Sequence, residues 1–199
     1  MSSPPRTIPP LGDAAPRRGN AYSRAFGRFV LAVCGRWRIV GELPNEPRFV
    51  LVVAPHTSNW DGLIGLAAAV AIGVRVRFLA KHTLFRGPLG WLLRLLEGIP
   101  VRRGRSGHLV EDVVDLFERE EFVLAITPEG TRKHVDRWRT GFYHIAHRAQ
   151  VPLFMIALDY PTREVRLGPL LRTNGDMRAQ VELMRDYFAT IDGKNPEYA

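Results

Sequence analysis

Apolar and polar positions along the chain follow two patterns, short continuous apolar runs and longer stretches with helical spacing. The apolar runs predict buried strands at residues 49–54, 74–80, 122–126 and 153–159, and a further strand at residues 164–167. The helical spacing predicts helices over residues 61–72, 91–96, 111–120, 141–150 and 176–188. Strands that alternate with helices in this way indicate a single three-layer α/β domain, with a mostly parallel or mixed sheet flanked by helices.

Two segments precede these alternating strands and helices. Residues 1–19 are rich in Pro, with scattered Ser, Gly and Arg, and predict a disordered leader. Residues 20–37 carry Phe26 and Phe29 at helical spacing among several Arg residues, which predicts an N-terminal amphipathic helix. Such a basic, aromatic helix fits either a membrane interface or ordinary packing on the domain. The folded domain is then predicted over residues 38–192, with a C-terminal tail at residues 193–199.

Composition narrows the classes of protein that this chain can belong to. Its 199 residues fit one domain, and no apolar stretch approaches the ~18 to 20 residues of a transmembrane helix. The N-terminus lacks the apolar region of a signal peptide. The single cysteine, Cys34, excludes an internal disulfide and any metal site built from cysteines.

The net charge of +8, carried mostly by Arg, favours anionic partners. These are nucleic acid, an anionic membrane surface or a phosphate-bearing substrate, unless the charge is merely a solvated surface. The chain shows no recognised nucleic-acid-binding motif and few aromatic residues among its Arg residues. We therefore expect no nucleic-acid partner, and keep a basic nucleic-acid-binding protein only as a remote alternative.

His56 and Asp61 follow the first apolar run, which closes at Pro55. In α/β folds, ligands collect beyond the carboxyl ends of strands, so a histidine here meets substrate while a rigid core holds it. Asp61 can reach back to the Nδ1–H of His56, fix the tautomer and stabilise the imidazolium. The pair suits a general base that takes a proton from a substrate hydroxyl. A structural histidine is the alternative that spacing alone leaves open.

A second polar loop, residues 127–132 (Thr-Pro-Glu-Gly-Thr-Arg), follows the strand predicted at residues 122–126. Gly130 allows a close backbone approach to a ligand, Thr131 offers a hydroxyl, and Arg132 offers two parallel donors suited to phosphate. A carboxylate does not bind phosphate directly, so we interpret Glu129 as orienting Arg132 or as accepting a hydrogen bond from a substrate hydroxyl. A polar turn with an incidental ion pair is the alternative.

The remaining polar clusters are less specific. Arg102 and Arg103 end a short apolar strand at residues 98–101, where they either complete an anionic pocket or are surface charge. The other histidines show no grouping with carboxylates at metal-ligand spacing, so we predict no metal site. They are His82, His108, His134, His144 and His147.

Taken in order, these blocks resemble the glycerolipid acyltransferases of the 1-acylglycerol-3-phosphate acyltransferase type. The family's first block is a His, four variable residues and an Asp, matched by His56 and Asp61. Its second block ends in Arg after a Gly-Ile-Pro-Val-like strand, matched by residues 98–101 with Arg103. Its third, Pro-Glu-Gly-Thr-Arg, is matched by residues 128–132, and its fourth, an apolar strand beginning Val-Pro, by residues 151–152. The resemblance covers roughly residues 38–192, the expected acyltransferase domain.

The resemblance implies transfer of a fatty acyl group from acyl-coenzyme A or acyl-carrier protein to the free hydroxyl of a lysophospholipid. Lysophosphatidic acid is the expected acceptor, and no cofactor beyond the acyl donor is expected. In that family the His is the general base and the Asp its orienting partner, so these roles fall on His56 and Asp61. The family's glycerol-phosphate positions fall on Arg103, Glu129, Gly130, Thr131 and Arg132. The lipid substrates imply a peripheral protein on an anionic surface, at the cytoplasmic face of the cell membrane.

Four positions depart from the family's usual pattern. Pro55 and Thr127 replace a common Asn and Phe, whereas Arg102 and Lys133 replace a common Asp and a small Ser. None of these positions is the expected base, but the added positive charge leaves the acceptor open. An ornithine-lipid or glycolipid type of acceptor is therefore an alternative within the same chemistry. The intact pair of His56 and Asp61 argues against a catalytically silent lipid-binding relative.

Overall fold

The computed structural model describes residues 8–101, 108–131 and 135–195. Its strands are β1 (Arg38–Val40), β2 (Phe49–Val53), β3 (Val76–Lys81), β4 (Gly98–Val101), β5 (Val123–Ile126), β6 (Leu153–Asp159) and β7 (Glu164–Leu171). They form one seven-stranded sheet in the order β1-β7-β6-β2-β5-β3-β4. The run from β6 to β4 is parallel throughout, whereas β7 is antiparallel to β6 and parallel to β1. The predicted mixed, mostly parallel sheet is confirmed.

Helices cover both faces of this sheet. They are α1 (Ala21–Val33), α2 (Asn59–Ile72), α3 (Gly87–Leu95), α4 (Leu109–Arg119), α5 (Gly141–Arg148) and α6 (Met177–Phe188). Buried side chains of β2 alternate between the faces: Val50 packs with α4, α5 and α6, whereas Phe49 packs with α1 and α2. The predicted three layers are therefore present. Among the described residues, no helix is long and apolar enough to cross a membrane.

Helix α1 packs directly on α2 through a glycine. A Cβ on Gly27 would lie 2.5 Å from the backbone N of Ala71 and 2.8 Å from the carbonyl O of Ala67. Only a residue without a side chain allows the two helix backbones to approach this closely. The helix predicted over residues 20–37 ends earlier, at Val33, because the backbone turns to positive φ at the following Gly35 and Arg36.

The N-terminal segment corrects one prediction. We predicted a disordered leader over residues 1–19, but residues 8–19 pack on the domain, and Ala15 is only 3% exposed. The carbonyl of Pro16 accepts the N–H of Arg75, and the N–H of Arg18 donates to the carbonyl of Gly73. Proline favours an extended backbone, and the N–H and carbonyl groups of an extended segment are free to pair with another segment. Residues 1–7 lie outside the described residues.

Two predicted boundaries also differ because of tertiary contacts. We predicted that the strand from residue 164 ends at residue 167, but β7 continues through Gly168 and Pro169. The register of its pairing with β6 shifts between Phe154 and Ile156, and this irregularity accommodates the two residues. Helix α3 begins at Gly87, four residues before the predicted start at residue 91, and carries a proline in its first turn. A proline there loses nothing, because the first turn has no intrahelical acceptor for its missing N–H.

Candidate active site

Three neighbouring parallel strands end at the same edge of the sheet. Strand β2 lies between β5 and β6, and its carboxyl end leads into the loop that carries His56. The loop of Glu129 follows β5, and Tyr160 follows β6. The carboxyl ends of parallel strands are where α/β proteins collect their ligands. The topology therefore brings residues that are far apart in the sequence to one place.

The side chain of Glu129 holds the backbone of His56. Both carboxylate oxygens of Glu129 accept the backbone N–H of His56, each at 3.1 Å. The side chain of His56 remains 22% exposed, so its imidazole is reachable from solvent. Its Nδ1 lies 3.2 Å from Oδ2 of Asp61, although their alignment falls short of a good hydrogen bond. Such contacts often tighten only when substrate is bound.

Asp61 occupies the third position of α2, behind the helix cap. Ser58 is the N-cap residue, and the backbone N–H of Ser58 donates to Oδ2 of Asp61 at 2.8 Å. The N–H of Thr57 donates to the same oxygen, Oδ2, at 2.9 Å. This capping box directs the carboxylate back toward the loop, and so toward His56. Helix geometry thus explains why a spacing of five residues places the pair in contact.

The environment of Asp61 keeps it ionised. Burial favours the neutral acid, but contacts with His56, the hydroxyl of Tyr160 and the backbone of Ser58 outweigh it and lower the pKa of Asp61. The hydroxyl of Tyr160 donates to Oδ1 at 2.6 Å. An anionic carboxylate next to Nδ1 is what stabilises an imidazolium.

Glu129 has the opposite electrostatic environment. Burial raises its pKa to about 7, against the stabilising effect of the His56 N–H, and the negative charge of Asp61 adds to the rise. We expected Glu129 to orient Arg132 or to bind a substrate hydroxyl. Arg132 lies outside the described residues, and among those described Glu129 contacts the backbone of His56, which makes it an anchor of the loop.

The rest of the second loop places Gly130 and Thr131 next to this anchor. Gly130 has a φ of +62°, a conformation that favours glycine, and the side chain of Arg139 lies 2.9 Å from where its Cβ would be. The N–H of Gly130 donates to the carbonyl of Thr127, which closes the turn. Thr131 is half-buried at the end of the described loop. Arg103 and Arg132, the predicted phosphate-binding residues, lie outside the described residues.

The C-terminal segment also contacts the site, which the sequence did not predict. Asn195, in the expected tail of residues 193–199, donates its Nδ2 to the carbonyl of Thr57 at 2.9 Å and its N–H to the Thr57 hydroxyl at 3.2 Å. Lys194 lies over the ring of Trp60, with its Nζ 4.8 Å from the centroid. Residues 193–195 are therefore packed against the His56 loop. Polar residues near a terminus carry no signal for this contact in the sequence.

Tyr160 is the other residue that sequence reasoning missed. It directly follows β6, at the edge where the predicted strands end, and a polar residue in that position is the signal that was available. Its partner, Asp61, lies 99 positions away along the chain. Strand order, which is a tertiary property, decides that these two residues meet.

The chain resembles known proteins in sequence and in fold. The acyltransferase family model matches residues 38–159, which is more than half of the chain. A curated 1-acyl-sn-glycerol-3-phosphate acyltransferase from Streptococcus pneumoniae (strain ATCC BAA-255 / R6) is 25% identical over 122 residues, covering 60% of this chain and 45% of that protein. The human 1-acyl-sn-glycerol-3-phosphate acyltransferase beta is 27% identical over 143 residues, covering 69% of this chain and 51% of its own. The chain thus spans about half the length of these relatives.

A solved structure shares the fold. The 1-acyl-sn-glycerophosphate (LPA) acyltransferase from Thermotoga maritima superposes with a TM-score of 0.61 at 16% sequence identity. The match covers 85% of this chain and 78% of that one. With the family model matched from β1 to the end of β6, across His56, Asp61 and the Glu129 loop, the chain belongs to the acyltransferase family.

Proposed function

We propose that this chain is an O-acyltransferase that moves a fatty acyl group from acyl-coenzyme A or acyl-carrier protein to the free hydroxyl of a lysophospholipid. Lysophosphatidic acid is the proposed acceptor, which the names of the bacterial and human relatives support. The observation that carries the proposal is the contact of His56 with buried, ionised Asp61 at the carboxyl edge of the sheet.

In the proposed mechanism His56 is the general base. With Nδ1 toward Asp61, Nε2 takes the proton of the acceptor hydroxyl while its oxygen attacks the thioester carbonyl. The new ester C–O bond forms, the C–S bond breaks, and the imidazolium returns its proton to the departing thiolate. Asp61 stabilises the imidazolium between these two proton transfers. The acyl group passes directly between substrates, so no acyl-enzyme intermediate is needed.

We place the acceptor's phosphate at the loop after β5. Gly130 and Thr131 adjoin Glu129, whose carboxylate bonds to the backbone of His56, so a phosphate at this loop would hold the acceptor hydroxyl near the base. We propose that Arg103 and Arg132 neutralise the phosphate, since Arg presents two parallel donors to such an oxyanion. The net charge of +8 supports an anionic acceptor.

The headgroup of the acceptor is open to one alternative. Arg102 and Lys133 stand where the family commonly has Asp and Ser, and they add positive charge close to the proposed phosphate-binding arginines. This observation favours testing ornithine-lipid and glycolipid types of lyso-acceptor beside lysophosphatidic acid. The chemistry at His56 is the same for each.

A lipid substrate requires access to a membrane, and one face of the domain supports it. All but two of the exposed large apolar side chains among the described residues lie on α1, α2, α3 and the short turn before α3. On α1 and α3 they are Tyr22, Phe26, Phe29, Val33, Leu89, Trp91, Leu92 and Leu95, which we call the apolar face.

Basic residues accompany the apolar face. Arg28 on α1 and Arg86 and Arg94 at α3 are exposed beside it. Apolar and aromatic side chains flanked by Arg are typical of a surface that rests on anionic lipid. We therefore propose peripheral binding through the apolar face, at the cytoplasmic leaflet of the cell membrane, where acyl thioesters are available.

The decisive experiment is the His56→Ala substitution, assayed by thiol release from oleoyl-coenzyme A. The acceptors are lysophosphatidic acid, lysophosphatidylethanolamine, a lyso-ornithine lipid and a deacylated glycolipid. Wild type should turn over lysophosphatidic acid, and His56→Ala should lose at least about a hundredfold in kcat, as expected for a lost general base. The control is His144→Ala, an exposed histidine on α5, which should keep full activity.

Each outcome has a clear meaning. If His56→Ala remains folded and retains activity within tenfold of wild type, the mechanism is wrong. If wild type ignores lysophosphatidic acid but uses another acceptor in the panel, the chemistry stands and the acceptor is corrected. If no acceptor supports thiol release from oleoyl-coenzyme A, and none does so from oleoyl-acyl-carrier protein, the proposed activity is wrong.

A further inference from the structure

Tyr160 contacts the face of Asp61 that points away from the helix cap. Its hydroxyl donates to Oδ1 of Asp61 at 2.6 Å. The other oxygen, Oδ2, accepts the backbone N–H groups of Thr57 and Ser58 and faces Nδ1 of His56. The carboxylate therefore has one oxygen committed to the loop and one to Tyr160. Together these contacts leave it a single orientation.

The ring of Tyr160 is itself held in place. It packs edge-on against the buried Trp37, with ring centroids 4.8 Å apart. Its backbone N–H donates to the carbonyl of Asp192 in the C-terminal segment at 3.1 Å. Both contacts are independent of the hydroxyl, so a phenylalanine at this position would keep them.

The hydroxyl of Tyr160 stays a donor at any working pH. Burial and the adjacent charge of Asp61 both raise the pKa of Tyr160 far above its ordinary value. A neutral hydroxyl next to an ionised carboxylate forms a charge-assisted hydrogen bond, the stronger kind. Tyr160 therefore does not exchange protons with substrate through this site.

We propose that Tyr160 is a positioning residue of the reaction: its hydrogen bond fixes the carboxylate of Asp61 in the rotamer that orients the imidazole of His56. The inference rests on the proposed function, because it gives His56 the role of base. Without the hydroxyl, Oδ1 of Asp61 is left buried without this donor, and the carboxylate is free to rotate toward other donors. Metal-bound histidines are oriented in the same way, by a hydrogen-bonding partner that is itself held by a further residue.

The geometry around His56 makes this orientation matter. Nδ1 and Oδ2 of Asp61 are 3.2 Å apart and imperfectly aligned, so a small rotation of the carboxylate would separate them. The backbone of His56 is fixed separately by Glu129, and that contact is untouched by a change at Tyr160. A change at Tyr160 should therefore affect the imidazole without displacing the loop.

The test is Tyr160→Phe, with Tyr143→Phe as the matched control. Tyr143 is buried, whereas Tyr160 is half-buried. Like Tyr160, it donates its hydroxyl to a side chain, that of Gln180 at 2.7 Å, but it lies in the α5 and α6 layer. We expect Tyr160→Phe to lower kcat about tenfold, with the KM of acyl donor and acceptor within twofold of wild type. The control should lower the Tm by a comparable amount and leave kcat unchanged.

A pH profile separates positioning from simple loss of structure. Once the carboxylate of Asp61 turns away from Nδ1, the imidazolium of His56 loses its stabilising negative charge and releases its proton more readily. The acid limb of kcat/KM, which reports protonation of the base, should therefore move to lower pH in Tyr160→Phe and stay unchanged in Tyr143→Phe.

The results distinguish this inference from the proposed function. If His56→Ala is inactive but Tyr160→Phe keeps the kcat and acid limb of wild type, the inference is overturned and the general-base mechanism stands. An equal fall in activity in both tyrosine variants, with no shift of the acid limb, also overturns it. If His56→Ala stays active, the proposed mechanism fails first, and the role of Tyr160 fails with it.

Discussion

At the scale of single residues, Asp61 serves the helix and the site with one carboxylate. It completes the cap of α2 through the N–H of Ser58, and it faces His56 from the same position. The spacing of His56 and Asp61 predicted their contact, because a carboxylate in the first turn of a capped helix points back to the preceding loop. The partners that come from other strands, Glu129 and Tyr160, were not assigned to these contacts from the sequence.

Glu129 makes a prediction about stability and pH. Burial raises its pKa to about 7, compared with 4.5 for an exposed glutamate. Between these values the folded state holds a proton that the unfolded state releases, so the free energy of unfolding falls as pH rises from 4.5 to 7. The full contribution is roughly 3 kcal/mol at most. The Glu129→Gln variant carries no titratable group at this position, so it should lack this pH dependence. Its free energy of unfolding should therefore fall by about 1–3 kcal/mol less than that of wild type over this window.

Urea unfolding at pH 5, 6 and 7.5, followed by circular dichroism, measures the difference between Glu129→Gln and wild type. The control is Glu182→Gln, an exposed glutamate on α6, which should follow wild type across the window. Parallel stability curves for Glu129→Gln and wild type would show that the raised pKa is wrong.

At the scale of elements, the contact between α1 and α2 depends on one missing side chain. A Cβ on Gly27 would lie within 3.0 Å of backbone atoms of Ala67 and Ala71, and backbone cannot move aside as a flexible side chain can. The helical spacing of residues 20–37 predicted the helix, but its partner followed only from the packing of the two elements on one face of the sheet. This contact fixes how α1 presents its aromatic residues.

Gly27→Ala should therefore destabilise the protein by about 1–3 kcal/mol, even though alanine is the better helix former. Gly65→Ala is the matched control, since it lies within α2 and its Cβ would meet nothing within 4 Å. We expect that variant to gain up to about 1 kcal/mol. Denaturant unfolding of the two variants beside wild type gives both values, and equal stabilities would contradict the close approach of the helices.

At the scale of the whole molecule, the exposed apolar side chains are unevenly distributed. Among the described residues, helices α4, α5 and α6 expose only Leu183 of their large apolar side chains, whereas α1 and α3 carry the apolar face. Scattered apolar residues are ordinary on protein surfaces, but a concentration on one face marks an interaction site. The chain's excess of positive charge favours anionic lipid as the partner.

The apolar face is tested by sedimentation with lipid vesicles. The double variant Phe29→Ser and Trp91→Ser, on α1 and α3, should bind vesicles of phosphatidylglycerol and phosphatidylcholine at least about tenfold more weakly than wild type. Leu183→Ser is the control, because Leu183 is 55% exposed on the opposite layer. Unchanged binding of the double variant would remove the apolar face from the account, and weaker binding to pure phosphatidylcholine would support the role of charge.

The sequence by itself determined the local features of this protein. Apolar runs and helical spacing predicted most of the strands and helices, and the loops of residues 55–61 and 127–132 were placed after their strands, because such signals depend on neighbours in the chain. The three-residue strand β1 was too short to predict. Packing of residues 8–19 was missed because composition does not reveal a distant partner.

Only the tertiary structure decided which residues surround His56 and Asp61. The contacts of Glu129 with His56, Tyr160 with Asp61, and Asn195 with Thr57 span 73, 99 and 138 positions of the chain. They depend on the order β6-β2-β5 and on the return of the chain after α6. The two pKa shifts also arise from this packing. Burial raises the pKa of Glu129, whereas hydrogen bonds lower that of Asp61. A local pattern cannot encode such contacts, since each arises only when separate segments pack together.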